Sequence, residues 1–198
     1  MKPQMFLCLA VAMMMIFPAT LFADDADLSL WFKRFDKENY AIPWLIASHG
    51  NNFIDIRYNF DAYRTGGVFM GKKISRKGFT FMPGIGVLIC RYNAFSPELL
   101  IVADTKHWIF FSQNQYALGG SKNFGYHWVD LIYKVKPWLA VGADEQVYKE
   151  NCFGTQVDVG PAVKVTVRKT YFRVWSAWSV GPANAGKATL YLATGYTF

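Results

Sequence analysis

The chain has 198 residues, of which 53% are hydrophobic and 18% aromatic, and its formal net charge is +7. Beyond the N-terminal stretch, no segment approaches the roughly 20 consecutive apolar residues that a membrane-spanning helix needs, which excludes a helical membrane protein. The basic residues gather in short turns such as Lys72-Lys73-Ile74-Ser75-Arg76-Lys77 and Arg168-Lys169, not along one helix or groove, which argues against a nucleic-acid partner and for contact with solvent and anionic lipid headgroups.

The chain opens with Lys2 before an apolar stretch over 5–17, then Pro18, then Ala23 ahead of the acidic pair Asp24-Asp25. A basic start, an apolar middle too short to span a bilayer and a small residue before a charged mature end predict a signal peptide over 1–23, with cleavage after Ala23. The mature part, 24–198, is read as one exported domain. Cys90 and Cys152 are too few for a disulfide scaffold. The strand order places both toward the same rim, which leaves their pairing open.

Two segments at 28–35 and 42–48, separated by Asp36-Lys37-Glu38-Asn39, come first. They read as strands, although Leu28, Trp31, Phe32 and Phe35 also fit one face of an amphipathic helix. The next segment is the cleanest: from Ile54 to Ala62 every even position is apolar or aromatic and every odd one, including Asp55, Arg57, Asn59 and Asp61, is polar. Only a strand sorts side chains onto two faces in this way. Further strands are predicted at 67–75, 79–91, 97–104, 107–117, 124–134, 138–148, 156–168, 171–181 and 187–198, with short turns at one end and longer connections at the other. In the 156–168 strand, Val157, Val159, Val163, Val165 and Val167 make one face, while Asp158, Lys164 and Arg168 lie opposite. The fold class expected is all-β: a transmembrane antiparallel up-and-down barrel of about twelve strands, apolar outside and polar inside. Ten strands plus an N-terminal amphipathic helix is the alternative.

The last strand alternates to its end through Leu190, Leu192, Tyr196 and Phe198. It resembles the terminal strand of bacterial outer-membrane barrels, and that resemblance implies recognition by the barrel-assembly machinery and residence in the outer membrane. The blocks Arg57-Tyr58-Asn59-Phe60-Asp61, Phe81-Met82-Pro83-Gly84-Ile85-Gly86, 112–116 and Phe124-Gly125-Tyr126-His127-Trp128 are similar, in the same order, to a family of uncharacterised outer-membrane β-barrels. That resemblance implies the fold and the membrane, favours two strands upstream of Arg57, and supplies no activity.

On the polar strand faces, Asp55, Arg57, Asp61, Asp130, Asp158, Lys164 and Arg173 are expected to line the lumen. Such a lining predicts a narrow passive pore for small hydrophilic solutes. A closed structural or surface-interaction barrel is the alternative, with acids and bases pairing across the interior. The inward positions Gly84, Gly86, Gly142, Gly160 and Ala162 either leave room for solute or relieve bends in the wall. Barrel enzymes that hydrolyse lipids place His and Ser two residues apart on a lipid-facing strand. His49, His107 and His127 are followed at that spacing by Asn51, Ile109 and Val129, so no catalytic site is predicted, and no cofactor or metal is called for.

Overall fold

The computed structural model describes residues 23–35, 38–59, 65–90, 92–119, 123–150, 154–180 and 186–197. In chain order the strands are β1 (Asp25–Phe35), β2 (Glu38–His49), β3 (Asn52–Asn59), β4 (Thr65–Lys72), β5 (Ile74–Arg76), β6 (Phe79–Cys90) and β7 (Ala94–Asp104). They continue with β8 (Trp108–Ala117), β9 (Phe124–Lys136), β10 (Leu139–Glu150), β11 (Gly154–Val167), β12 (Thr170–Ser179) and β13 (Ala188–Thr197). Segments β4 and β5 are one barrel strand interrupted at Lys73, since both pair with β6 in a single register, Gly71 opposite Gly84 and Ile74 opposite Phe81.

Each strand lies antiparallel to its chain neighbour, and β13 returns to pair with β1 from Asp27 opposite Thr197 to Phe35 opposite Thr189. The result is a closed barrel of twelve strands with no free edge. The 28–35 segment is strand β1, so the alternative of ten strands plus a helix does not hold. Two-sided pairing with β2 and β13 outweighs an amphipathic pattern that fits either period.

Side-chain parity divides the wall into two surfaces. Many outward positions are apolar and open, Met70 61% exposed and Ile85 58%, as lipid contact requires, whereas Leu45 and Ile56, on the same parity of β2 and β3, are buried. Inward positions are polar or packed, with Asp55 and Leu100 both at 0%. Strand β11 follows its sequence pattern, valines outward and Asp158 and Lys164 inward. The tryptophans divide. Trp108, Trp138 and Trp178 face out near the strand ends, where aromatic girdles sit, while Trp31, Trp44, Trp128 and Trp175 are buried inside.

At one end the connections are tight. Lys77 and Gly78 have φ of 50° and 83°, the two positive values that a type I′ hairpin turn needs. At the same end the Gly50 N–H donates to the Asp24 carboxylate and holds that carboxyl below the usual aspartate range. The inward glycines answer the choice posed by the sequence. A Cβ at Gly142 would stand 2.0 Å from the Leu131 carbonyl oxygen, and one at Gly86 2.4 Å from that of Val68. These glycines let the wall bend sharply; they do not hold open space. Replacing Gly142 by valine is expected to destabilise the barrel by about 1–3 kcal/mol, read as a lower urea midpoint of the heat-modifiable folded band.

Candidate functional site: the barrel lumen

Asp55 and Arg57 of β3, Asp130 of β9, Asp158 and Lys164 of β11 and Arg173 of β12 all take the inward parity expected of them. Asp61 lies outside the described residues. The charges gather into two clusters, each centred on one arginine.

In the first, Asp130 and Asp144 stand directly opposite each other on β9 and β10, an arrangement that repels unless a cation intervenes. Arg173 supplies it, donating from Nη1 to Asp130 and from Nη2 to Asp144. Its guanidinium also lies 5.4 Å from the Trp31 ring and 5.8 Å from the Trp128 ring. In the second cluster, Arg57 donates to Glu98 of β7, and its Nε lies 3.5 Å from Asp55. The side chain reaches past two intervening strands, where Gly67 lies opposite Arg57 and Gly84 opposite Glu98. The Phe69 ring lies 4.5 Å from it.

Between the clusters sits a group of aromatic side chains. Trp128 meets Trp31 edge-on at 4.9 Å, Phe111 at 5.3 Å and Trp44 at 5.7 Å, and its indole N–H donates to Asp130 at 2.8 Å. Phe53, Met82 and Leu100 pack with Ile46 and Phe111 on the side that also holds Asp55, Arg57 and Glu98, and Asp130, Asp144, Asp158, Lys164 and Arg173 line β9 to β12 on the other. Toward the loop end, Tyr148 and Tyr191 both donate to Gln146, Lys33 lies 5.1 Å from each of their rings, and Ser179 donates to Asp158. Toward the turn end, Lys134 pairs with Asp104 and Lys164 lies over the Tyr171 ring.

Several buried polar atoms on this inner face have no hydrogen-bond partner in the protein: Glu98 Oε1, Asp144 Oδ2, Arg173 Nε, Trp175 Nε1 and Thr189 Oγ1. At about 1–3 kcal/mol for each one left unsatisfied, they would consume a large part of the 5–15 kcal/mol that holds a domain together. None of these atoms is open to solvent in this conformation, so water reaches them only where the side chains packed around them move.

The sequence reading missed Glu98, because the surrounding Leu99-Leu100-Ile101-Val102 run is apolar on both faces and hides its parity. It also missed the aromatic group, although Trp128 and Asp130 share one parity. A third set lies on the outer wall. Ser112 and Asn114 of β8 and His127 of β9 face outward, and Asn114 bonds both others. Asn114 stands between His127 and Ser112, so the histidine does not meet the hydroxyl as a general base would. Leu190, Leu192 and Tyr196 face outward on β13, and Phe198 lies outside the described residues. Cys90 is disulfide-bonded; Cys152 lies outside the described residues. Among the described residues, no three of His, Cys, Asp and Glu converge as a metal site.

No protein-family model and no curated protein matches the sequence. Solved structures do match the fold. The NanC porin superimposes with a TM-score of 0.63 at 10% identity, over 86% of this chain and 98% of that one. The KdgM porin gives 0.61 at 9% identity over 87% and 99%, and it has also been solved with disordered oligogalacturonate. OpdK of Pseudomonas aeruginosa, solved with vanillate, gives 0.50 at 11% identity over 81% of this chain and 56% of its own. At these identities the likeness carries the fold alone: a closed, twelve-stranded antiparallel β-barrel with the architecture of those porins.

Proposed function

We propose that the chain is exported by cleavage of its signal peptide after Ala23 and works in the outer membrane as a narrow passive pore for small hydrophilic solutes. The uncharacterised barrel family resembled by its sequence blocks is its natural grouping. Its last strand, through Leu190, Leu192, Tyr196 and Phe198, serves as the signal to the barrel-assembly machinery. The observation that carries the pore is the polar inner face of a closed twelve-stranded barrel, lined by Asp55, Arg57, Glu98, Asp130, Asp144 and Arg173. The constriction lies at the aromatic group and the Arg173 cluster.

Charge refines the reading. Arg57 is met by Asp55 and Glu98, and Arg173 by Asp130 and Asp144, so each guanidinium faces two carboxyl groups. Whether or not the second carboxyl of each set holds a proton, neither arginine presents uncompensated positive charge to the path. The lumen therefore suits uncharged or cationic solutes and disfavours anions, despite the chain's net charge of +7. A polyanion such as the oligogalacturonate seen with the KdgM porin is a poor match for it.

A second reading rests on the packing of Trp31, Trp44, Trp128 and Phe111, which fill the waist. In that reading the barrel is closed and structural. Proteoliposome swelling separates the two: iso-osmotic pentose is expected to enter faster than the sodium salt of a hexuronic acid. Equal entry of the hexuronate would overturn the charge preference, and absence of swelling from inserted protein would favour the closed barrel. A lipid hydrolase finds no support in the relation of Ser112 to His127.

A further inference from the structure

The outer wall of β8 and β9 carries a hydrogen-bonded cluster of polar groups. Ser112, Asn114 and His127 lie there with outward parity, and placing such groups against hydrocarbon is unfavourable unless they find partners. Their internal bonds are ordered. The Asn114 amide nitrogen donates to Ser112 Oγ at 3.0 Å and to the Leu99 carbonyl oxygen at 3.4 Å. Its Oδ1 must then accept, so His127 donates from Nδ1 across 2.6 Å and its ring is held with Nε2 directed away from Asn114.

Above this histidine, toward the loop end, the wall has a hollow of about 490 Å³. Its row reads Tyr116, Gly125, Lys149 across three neighbouring strands, all outward. The glycine makes the gap, and the backbone does not demand it. A Cβ at Gly125 would meet nothing nearer than the Tyr116 ring at 3.6 Å, an ordinary contact, whereas at Gly142 it would collide with the neighbouring strand. Lys149 and the half-exposed Tyr116 flank the gap, His127 forms its floor, and Leu99 and Val147 border that floor in the same row, one on either side of Asn114 and His127.

We propose that this hollow is a lipid site that seats the phosphate of an outer-leaflet phosphoglycolipid, the acylated disaccharide of lipid A, with its acyl chains lying against the apolar wall below. Charge complementarity selects the occupant. Lys149, the Tyr116 hydroxyl and His127 Nε2 surround the space left by Gly125, and an ammonium and a hydroxyl at headgroup depth suit an anionic oxygen ligand. The one outward carboxylate nearby, Glu145, lies two positions deeper on β10 than Val147 and outside the hollow. A second copy of the chain would bury Lys149 without a counter-charge.

The test is native mass spectrometry of the detergent-solubilised mature barrel titrated with purified lipid A, with dephosphorylated lipid A and phosphatidylglycerol as comparators. Wild type is expected to retain lipid A, and Lys149→Gln and Gly125→Leu to weaken retention by about tenfold while keeping the folded, heat-modifiable band. Loss of the phosphates from lipid A is expected to weaken binding to wild type similarly. Unchanged retention by a folded Gly125→Leu barrel would overturn the site. Equal retention of phosphatidylglycerol would overturn the choice of lipid A.

Discussion

Replacing Arg173 with methionine is expected to destabilise the folded barrel by about 3–5 kcal/mol, read as a shift of the urea midpoint in detergent or vesicles. The loss comes less from the missing contacts than from what they restrain. Asp130 and Asp144 are opposed on adjacent strands, 2% and 1% exposed, and without the guanidinium two carboxyl groups confront each other with no cation between them. Lysine does not substitute, because one ammonium on a flexible stem cannot hold both carboxylates in a planar fork. The triple variant Asp130→Asn, Asp144→Asn, Arg173→Met is expected to recover much of the stability, since removing a whole buried ionic set is far milder than breaking it. A loss below about 1 kcal/mol in Arg173→Met would show that solvent already screens the pair, as it does at a protein surface.

Trp128→Ala is expected to have an effect of similar size on stability, about 3–5 kcal/mol, and a second effect that a purely structural tryptophan would not show. The ring touches Trp31, Trp44 and Phe111 and holds Asp130 through its N–H, so it is shared by the aromatic group and the Arg173 cluster. Truncation removes side-chain volume at the proposed constriction. Single-channel conductance is therefore expected to rise above wild type, and Trp128→Phe, which keeps most of the volume but loses the bond to Asp130, to stay near it. A destabilised Trp128→Ala barrel with unchanged conductance would place the constriction elsewhere.

Much of the architecture was legible in the sequence because period-two alternation is a strong signal wherever one face is lipid and the other polar. The run Ile54-Asp55-Ile56-Arg57 set the parity of β3, and the valines of β11 did the same for the opposite wall. The start of β7 was less clear, since β7 begins at Ala94 ahead of a Pro97 that reads as a loop. The proline sits on the outward face, and the ladder pairs it with Ile85. The inner charges could be assigned to a face, but not to each other. That Arg57 meets Glu98, two strands beyond its neighbour, follows from barrel curvature, which no local pattern reports. The outer-wall set was hidden for the same reason: Ser112 and Asn114 join His127 across a hairpin, and a search along one strand for His and Ser two residues apart passes over it.

The central claim is that the inner face is wet. The most direct measurement is the single-channel current of wild-type mature protein in a planar bilayer, with insertion verified by protease protection of the same preparation. The account predicts small discrete steps with a reversal potential, under a potassium chloride gradient, that shows no preference for chloride. Silence from verified insertions would contradict it and favour a packed, closed interior.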